Sequence, residues 1–150
     1  MTSLGSQKNK RSIKIVGLFA RPDREIALST AVSVERFLLE NGVEVQLDTE
    51  IAAYKGDRGK GVPVEEMSAD LLVVVGGDGT ILKASVGNAS GIPILGVKVG
   101  TGGFLTEVLP EDVLLALQKC LDGDYSIEAC LKIESSLNDK ILPDALNEVL

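Results

Sequence analysis

The chain has 150 residues, 45% of them hydrophobic and 25% charged, which suits one soluble globular domain with a real core. Its net charge of −7 and pI near 4.6 lack the basic footprint of a nucleic-acid binder, and 3% aromatics without Trp leave few base-stacking surfaces. His is absent, which excludes imidazole bases, His-based triads and His metal ligands and leaves carboxylates as the acid–base candidates. Cys120 and Cys130 show no CxxC spacing, so they read as reduced thiols of a cytoplasmic protein rather than a zinc site. No apolar run approaches the ~18 residues that a membrane span requires.

Residues 1–11 are polar and basic, and an apolar stretch follows at Ile13. The pair lacks the small-residue cleavage site of a signal peptide, so a flexible tail over 1–11 and a first strand over 13–19 are expected. Pro22 and Asp23 offer a helix start, with Asp23 as the cap. Ile26, Ala27, Thr30, Ala31, Val34, Phe37 and Leu38 then keep a helical stripe. Gly42 suits the left-handed position past that helix. Val43, Val45 and Leu47 alternate with polar residues, as in a half-exposed strand.

Residues 49–68 are polar and glycine-rich and read as a long loop. Its cations Lys55, Arg58 and Lys60 have two readings: contacts to nucleotide phosphates, or an ordinary solvated loop. The apolar run 70–75 predicts a buried strand. It ends in Gly76-Gly77-Asp78-Gly79-Thr80, and a short helix through Ile81 to Val86 follows. Residues 92–97 form another apolar strand, closed by a second glycine-rich turn from Lys98 to Glu107. Pro110, Glu111 and Asp112 begin the next helix, whose stripe is Val113, Leu114, Ala116, Leu117, Cys120 and Leu121, with Cys120 in the core. From Tyr125 to Ile133 the pattern alternates, Asn138-Asp139 resembles a hairpin turn, and 145–150 reads as one more strand.

The fold class is therefore α/β: a Rossmann-like, open, mostly parallel sheet with helices on both faces. The expected organisation is a flexible tail (1–11), an α/β nucleotide-binding domain (12–124) and the first strands of a truncated β-rich domain (125–150). A pattern that stops inside a strand is expected of a fragment.

In an open α/β sheet ligands bind outside the carboxyl ends of the strands, where the first glycine turn falls. Glycines there can adopt φ > 0 and admit a ligand to the backbone. Amides opening the next helix suit phosphate oxygens. Asp78 has two compatible readings, as cap of that helix and as a working carboxylate. The turn is neither a Walker A motif nor a GxGxxG fingerprint.

Gly76-Gly77-Asp78-Gly79-Thr80 resembles the signature of the NAD kinase family, shared more loosely with 6-phosphofructokinases and with diacylglycerol and sphingosine kinases. The segment from Gly96 through Gly100, Gly102, Gly103 and Phe104 to Thr106 resembles that family's second turn. Ala145-Leu146-Asn147-Glu148-Val149 resembles its third motif. The resemblance covers nearly the whole chain after the tail and implies a kinase that phosphorylates the 2′-hydroxyl of the adenosine ribose of NAD. It implies Asp78 as the general base, and Gly77, Asp78, Gly79, Thr80, Lys83, Gly103, Phe104, Asn147 and Glu148 as the dinucleotide-binding set.

The resemblance further implies ATP or polyphosphate as donor, Mg²⁺ or another divalent cation accompanying it, and no metal ligand among the site residues. A full-length protein would be a homo-oligomer, dimer or tetramer, located in the cytoplasm, binding neither nucleic acid nor membrane. Lys98 stands where the family usually has Asn, and Cys130 where it commonly has Arg. Two other readings remain open: a lipid or sugar kinase sharing the first turn, and a non-catalytic dinucleotide-binding fragment.

Overall fold

The computed structural model describes the backbone of residues 3–8, 12–88, 91–100, 108–130, 136–137 and 140–141, and side chains only within 12–88, 91–100 and 108–127. In chain order the elements are β1 (Ser3–Lys8), β2 (Ile15–Ala20), α1 (Glu25–Glu40), β3 (Glu44–Leu47), α2 (Thr49–Tyr54), β4 (Leu71–Gly76), α3 (Asp78–Gly87), β5 (Ile94–Lys98), α4 (Val113–Leu121), β6 (Ser126–Cys130), β7 (Ser136–Leu137) and β8 (Lys140–Ile141). Short 3₁₀ turns lie at Arg58–Lys60, Val64–Glu66 and Pro110–Asp112.

The central sheet is parallel, in the order β3-β2-β4-β5. Its inner strand β4 is buried along its whole length, which is what an uninterrupted apolar run predicts for a strand covered on both faces. The alternation of side chains divides it between two cores. Leu71, Val73 and Val75 pack with the α1 residues Ala31, Val34 and Leu38 and with Val113 and Leu117 of α4. Leu72 and Val74 face the other way, onto Met67 and onto Ile81 and Ala84 of α3. Each fully buried Val or Leu contributes about 1.5–3 kcal/mol, so the strand that ends at the glycine turn is the best-anchored segment of the sheet.

Several local expectations are revised. The helix α1 begins at Glu25 with Arg24 in the cap position, and Asp23 instead pairs with Arg21. Ile26, placed on the apolar stripe, is exposed. The stretch 49–68 is not one long loop: it contains α2 and two 3₁₀ turns. Asp48 makes α2 possible, accepting hydrogen bonds from the amides of Glu50 (2.6 Å) and Ile51 (2.9 Å). Ser3–Lys8, inside the expected flexible tail, pairs antiparallel with Ser126–Cys130. The backbone of a polar segment carries the same ladder groups as an apolar one, and composition does not reveal that pairing.

Gly42 and Gly123, both at helix ends, do take positive φ (75° and 79°). The antiparallel pair β7-β8 has Leu137 opposite Lys140, flanking the hairpin expected at 138–139. Residues 145–150 lie outside the described residues. Cys120 is half-buried rather than in the core, and burial pushes its thiol pKa up.

Candidate functional site

The strand order creates the site. From β2 the chain passes through α1 to β3 on one side, then returns across β2 to β4 and β5 on the other. The carboxyl ends of β2 and β4 are thus the point where the direction of winding reverses, and a crevice opens there. A cleft of about 400 Å³ lies at that point. Phe19, Arg21, Pro22 and Asp23 line it from the end of β2, and Gly77, Gly79, Thr80 and Lys83 from the turn after β4.

The first wall is built by backbone pairing. Ala20 stands opposite Val75, and the Arg21 amide donates to the Val75 carbonyl at 3.0 Å, so Arg21 leaves the sheet at a fixed height beside the glycine turn. Its guanidinium donates twice to Asp23, Nε to Oδ1 and NH2 to Oδ2, both at 2.7 Å. This fork holds the Asp23 carboxyl below its usual range and raises the Arg21 pKa, through the hydrogen bonds first and the opposite charges second.

The second wall is the opening of α3. Gly77 occupies the cap position at φ −119°, and its carbonyl accepts from the amides of Thr80 and Ile81, each at 3.1 Å. Asp78 therefore lies inside the first helical turn, and no side chain caps the helix. The first amides of a helix have no carbonyl of that helix to bind, and in α3 they belong to the segment that lines the cleft. Asp78 is half-buried between Gly77 and Gly79 and is not itself among the lining residues. Lys83, exposed one turn on, joins Arg21 as the second cation on the cleft.

None of Gly76, Gly77 and Gly79 adopts the positive φ expected of them. A Cβ on Gly76 would stand 2.3 Å from Thr80 Oγ1, so that glycine exists to let the buried Thr80 fold back over the strand end. At Gly77 and Gly79, among the described residues and beyond the adjoining backbone, nothing lies within 4 Å of a Cβ position. Packing among the described residues does not require glycine at either position.

The second turn starts beside the first. The Val99 amide donates to the Gly76 carbonyl at 2.8 Å, and Gly100 then turns with φ 103°, a conformation that favours glycine. The chain returns at Val108, which bridges to β5 beside Val97. Gly103, Phe104, Asn147 and Glu148 lie outside the described residues.

The cations of the 55–60 stretch are not among the residues that line the cleft. Lys55 pairs with Glu35 of α1, and Lys60 with the neighbouring Asp57. Sequence reasoning missed Phe19, Arg21, Pro22 and Asp23 as cleft residues. Their signal was the sharp change from apolar strand to Arg-Pro-Asp, which acquires meaning only once β2 and β4 are known to be neighbours. It also missed Asp48. This carboxylate is 2% exposed and accepts from Ala20 at 3.0 Å as well as from the two α2 amides, tying the strand end behind Arg21 to the next helix. Burial raises its pKa, and the three amides pull against that shift.

Residues 16–125 match the family model of the ATP-NAD kinase N-terminal domain. The chain is 43% identical over 135 residues to an NAD kinase of Thermococcus gammatolerans, covering 88% of this chain and 49% of that protein. It is 42% identical over 137 residues to one of Pyrococcus furiosus, covering 89% and 49%. The chain thus spans about half the length of the curated relatives it matches. In fold it is similar to yeast NADH kinase solved with NADH (TM-score 0.73, 20% identity, 92% of this chain and 45% of that one). It is also similar to an NAD kinase from Archaeoglobus fulgidus solved with ATP (TM-score 0.53, 23% identity, 85% and 45%). By the extent of the family match and its identity to these relatives, the chain belongs to the NAD kinase family.

Proposed function

We propose that this chain carries the nucleotide-binding part of an enzyme that phosphorylates the 2′-hydroxyl of the adenosine ribose of NAD. The observation that carries this reading is the placement of the Gly77-Asp78-Gly79 turn at the winding reversal, with a carboxylate on the turn and two cations on the cleft. Two structurally similar proteins were solved with NADH and with ATP, which supports a dinucleotide and a nucleotide as ligands of the common fold.

In the proposed step Asp78 takes the proton from the 2′-hydroxyl as its oxygen bonds to the γ-phosphorus of ATP, or to a terminal polyphosphate phosphorus. The bond from that phosphorus to its bridging oxygen breaks, and ADP or the shortened polyphosphate leaves. Such transfer depends mainly on positioning and charge neutralisation, which the open backbone at Gly77 and Gly79, together with Lys83, can supply. Thr80 shapes the turn through its packing on Gly76. Gly103 and Phe104 would line the dinucleotide pocket, and Asn147 and Glu148 would hydrogen-bond the dinucleotide. Among the described residues no group of three or more His, Cys, Asp or Glu stands together. Mg²⁺ would arrive on the donor's phosphates and would neutralise their charge there. Among the described residues no helix is long and apolar enough to cross a membrane. A cytoplasmic homo-oligomer, dimer or tetramer, completes the proposal.

The test is NADP formation from NAD, ATP and Mg²⁺, using these 150 residues and any longer natural chain that contains them. Asp78→Asn should lower kcat by about a hundredfold to ten-thousandfold, the usual contribution of a positioned base, with NAD still binding. No NADP from the longer chain refutes the kinase reading. A fully active Asp78→Asn variant removes Asp78 from the chemistry.

A further inference from the structure

We propose that Arg21 is a phosphate-binding side chain of the cleft and that Asp23 is its built-in competitor, displaced from the guanidinium when a phosphate chain enters. The inference rests on the kinase reading only for the identity of that chain, the donor's phosphates.

Three observations carry it. Among the described residues, Arg21 and Lys83 are the cations on the cleft, one on each wall. The Arg21 backbone is held by its bond to Val75, so where the residue leaves the sheet does not depend on Asp23. The Arg21–Asp23 fork uses both the Nε and NH2 donors, in the geometry by which a guanidinium grips two oxygens of a phosphate. Pro22 lies between them in sequence, and Asp23 lines the same cleft.

Asp23 is exposed and Arg21 half-buried, and a solvent-accessible pair of this kind is weak and screened by salt. A tripolyphosphate brings several negative charges and can also bind Lys83 and the amides opening α3. Exchange of one carboxylate for such a chain is therefore downhill. Asp23 then has two effects: it keeps Arg21 folded over the cleft before the ligand arrives, and it repels phosphate chains too short to reach Lys83. Selectivity for long phosphate chains over a single phosphate follows from that competition.

The test measures binding of inorganic tripolyphosphate, orthophosphate, ATP and NAD by calorimetry to the wild-type chain, Arg21→Gln, Arg21→Lys and Asp23→Asn. Loss of a bidentate charged contact predicts a fall of about tenfold or more for tripolyphosphate and ATP in Arg21→Gln, with Arg21→Lys intermediate and NAD binding unchanged. Asp23→Asn should tighten tripolyphosphate about two- to threefold and orthophosphate by a larger factor. Far-ultraviolet circular dichroism and the melting temperature check that each variant is folded. Unchanged tripolyphosphate binding in a folded Arg21→Gln overturns the assignment of Arg21. Equal weakening by Asp23→Asn and Arg21→Gln overturns the competition. Equal weakening of NAD by Arg21→Gln moves the side chain to the dinucleotide. If the longer chain makes no NADP while tripolyphosphate binding still depends on Arg21, the kinase reading fails and this inference stands.

Discussion

Asp48 offers the sharpest test of how the cleft is held. Replacing it with Ala removes three hydrogen-bond acceptances at once: two from the opening amides of α2 and one from Ala20 at the end of β2. Loss of a cap costs about 0.5–2 kcal/mol, and a buried amide left without a partner about 1–3 kcal/mol. Relief of the burial that raises the Asp48 pKa offsets part of this. The net expectation is a destabilisation of about 2–4 kcal/mol, a large share of the stability of an ordinary domain. For a chain of this length that lowers the melting temperature by about 4–16 °C. Urea unfolding gives the free energy, and hydrogen exchange of the Ala20 amide reports whether the tether behind Arg21 has loosened. A loss below about 1 kcal/mol, the effect of an ordinary substitution, together with unchanged exchange at Ala20, would refute the view that Asp48 anchors the wall of the cleft.

The same carboxylate predicts a pH dependence. Because its folded pKa is raised above the ordinary carboxylate value, its contribution to stability is greatest below that ordinary value. The contribution is lost as pH rises through the raised folded pKa and is constant above it. Unfolding free energies of wild type minus Asp48→Asn against pH should therefore decline across that window, and a difference that rises with pH has the wrong sign. The two faces of the glycine turn should also separate. Gly76→Ala forces a Cβ into Thr80 and should cost about 1–3 kcal/mol, as overpacking does. Gly77→Ala meets no side chain among the described residues and should leave the melting temperature nearly unchanged while weakening ATP or NAD binding. Equal stability losses in the two variants contradict the packing argument.

Much of the fold is legible because burial leaves a pattern. An unbroken apolar run could only be a strand covered on both faces, and β4 is one. The period of α1 survives a misplaced cap because its stripe runs over a helix of 16 residues. α2 is hidden for the opposite reason: at 6 residues it is too short to show a period, and most of it sits inside a polar stretch. Its one signal is the cap, Asp48, which reads in sequence as the polar member of an alternating strand. The cleft is half legible. Gly77, Gly79, Thr80 and Lys83 lie on one turn and the helix that follows it, so local reasoning groups them with Asp78 beside the cleft. Arg21 and Asp23 join them across more than 50 residues of sequence, through the pairing of β2 with β4.

The glycine turn lies where the sequence puts it, between β4 and α3, but for a different physical reason. Three glycines around a carboxylate suggest a backbone bent into conformations that other residues avoid, yet none of them needs one. Gly76 is set by Thr80, which closes over it and starts α3 tightly against the strand. Gly77 and Gly79 flank Asp78 where no side chain among the described residues competes for space. One glycine is thus required by the fold, and the other two leave room beside Asp78 for the proposed ligand. A substitution that damages stability and one that damages binding stand at adjacent positions of the same turn, and that adjacency makes the proposed site separable by experiment from the scaffold that carries it.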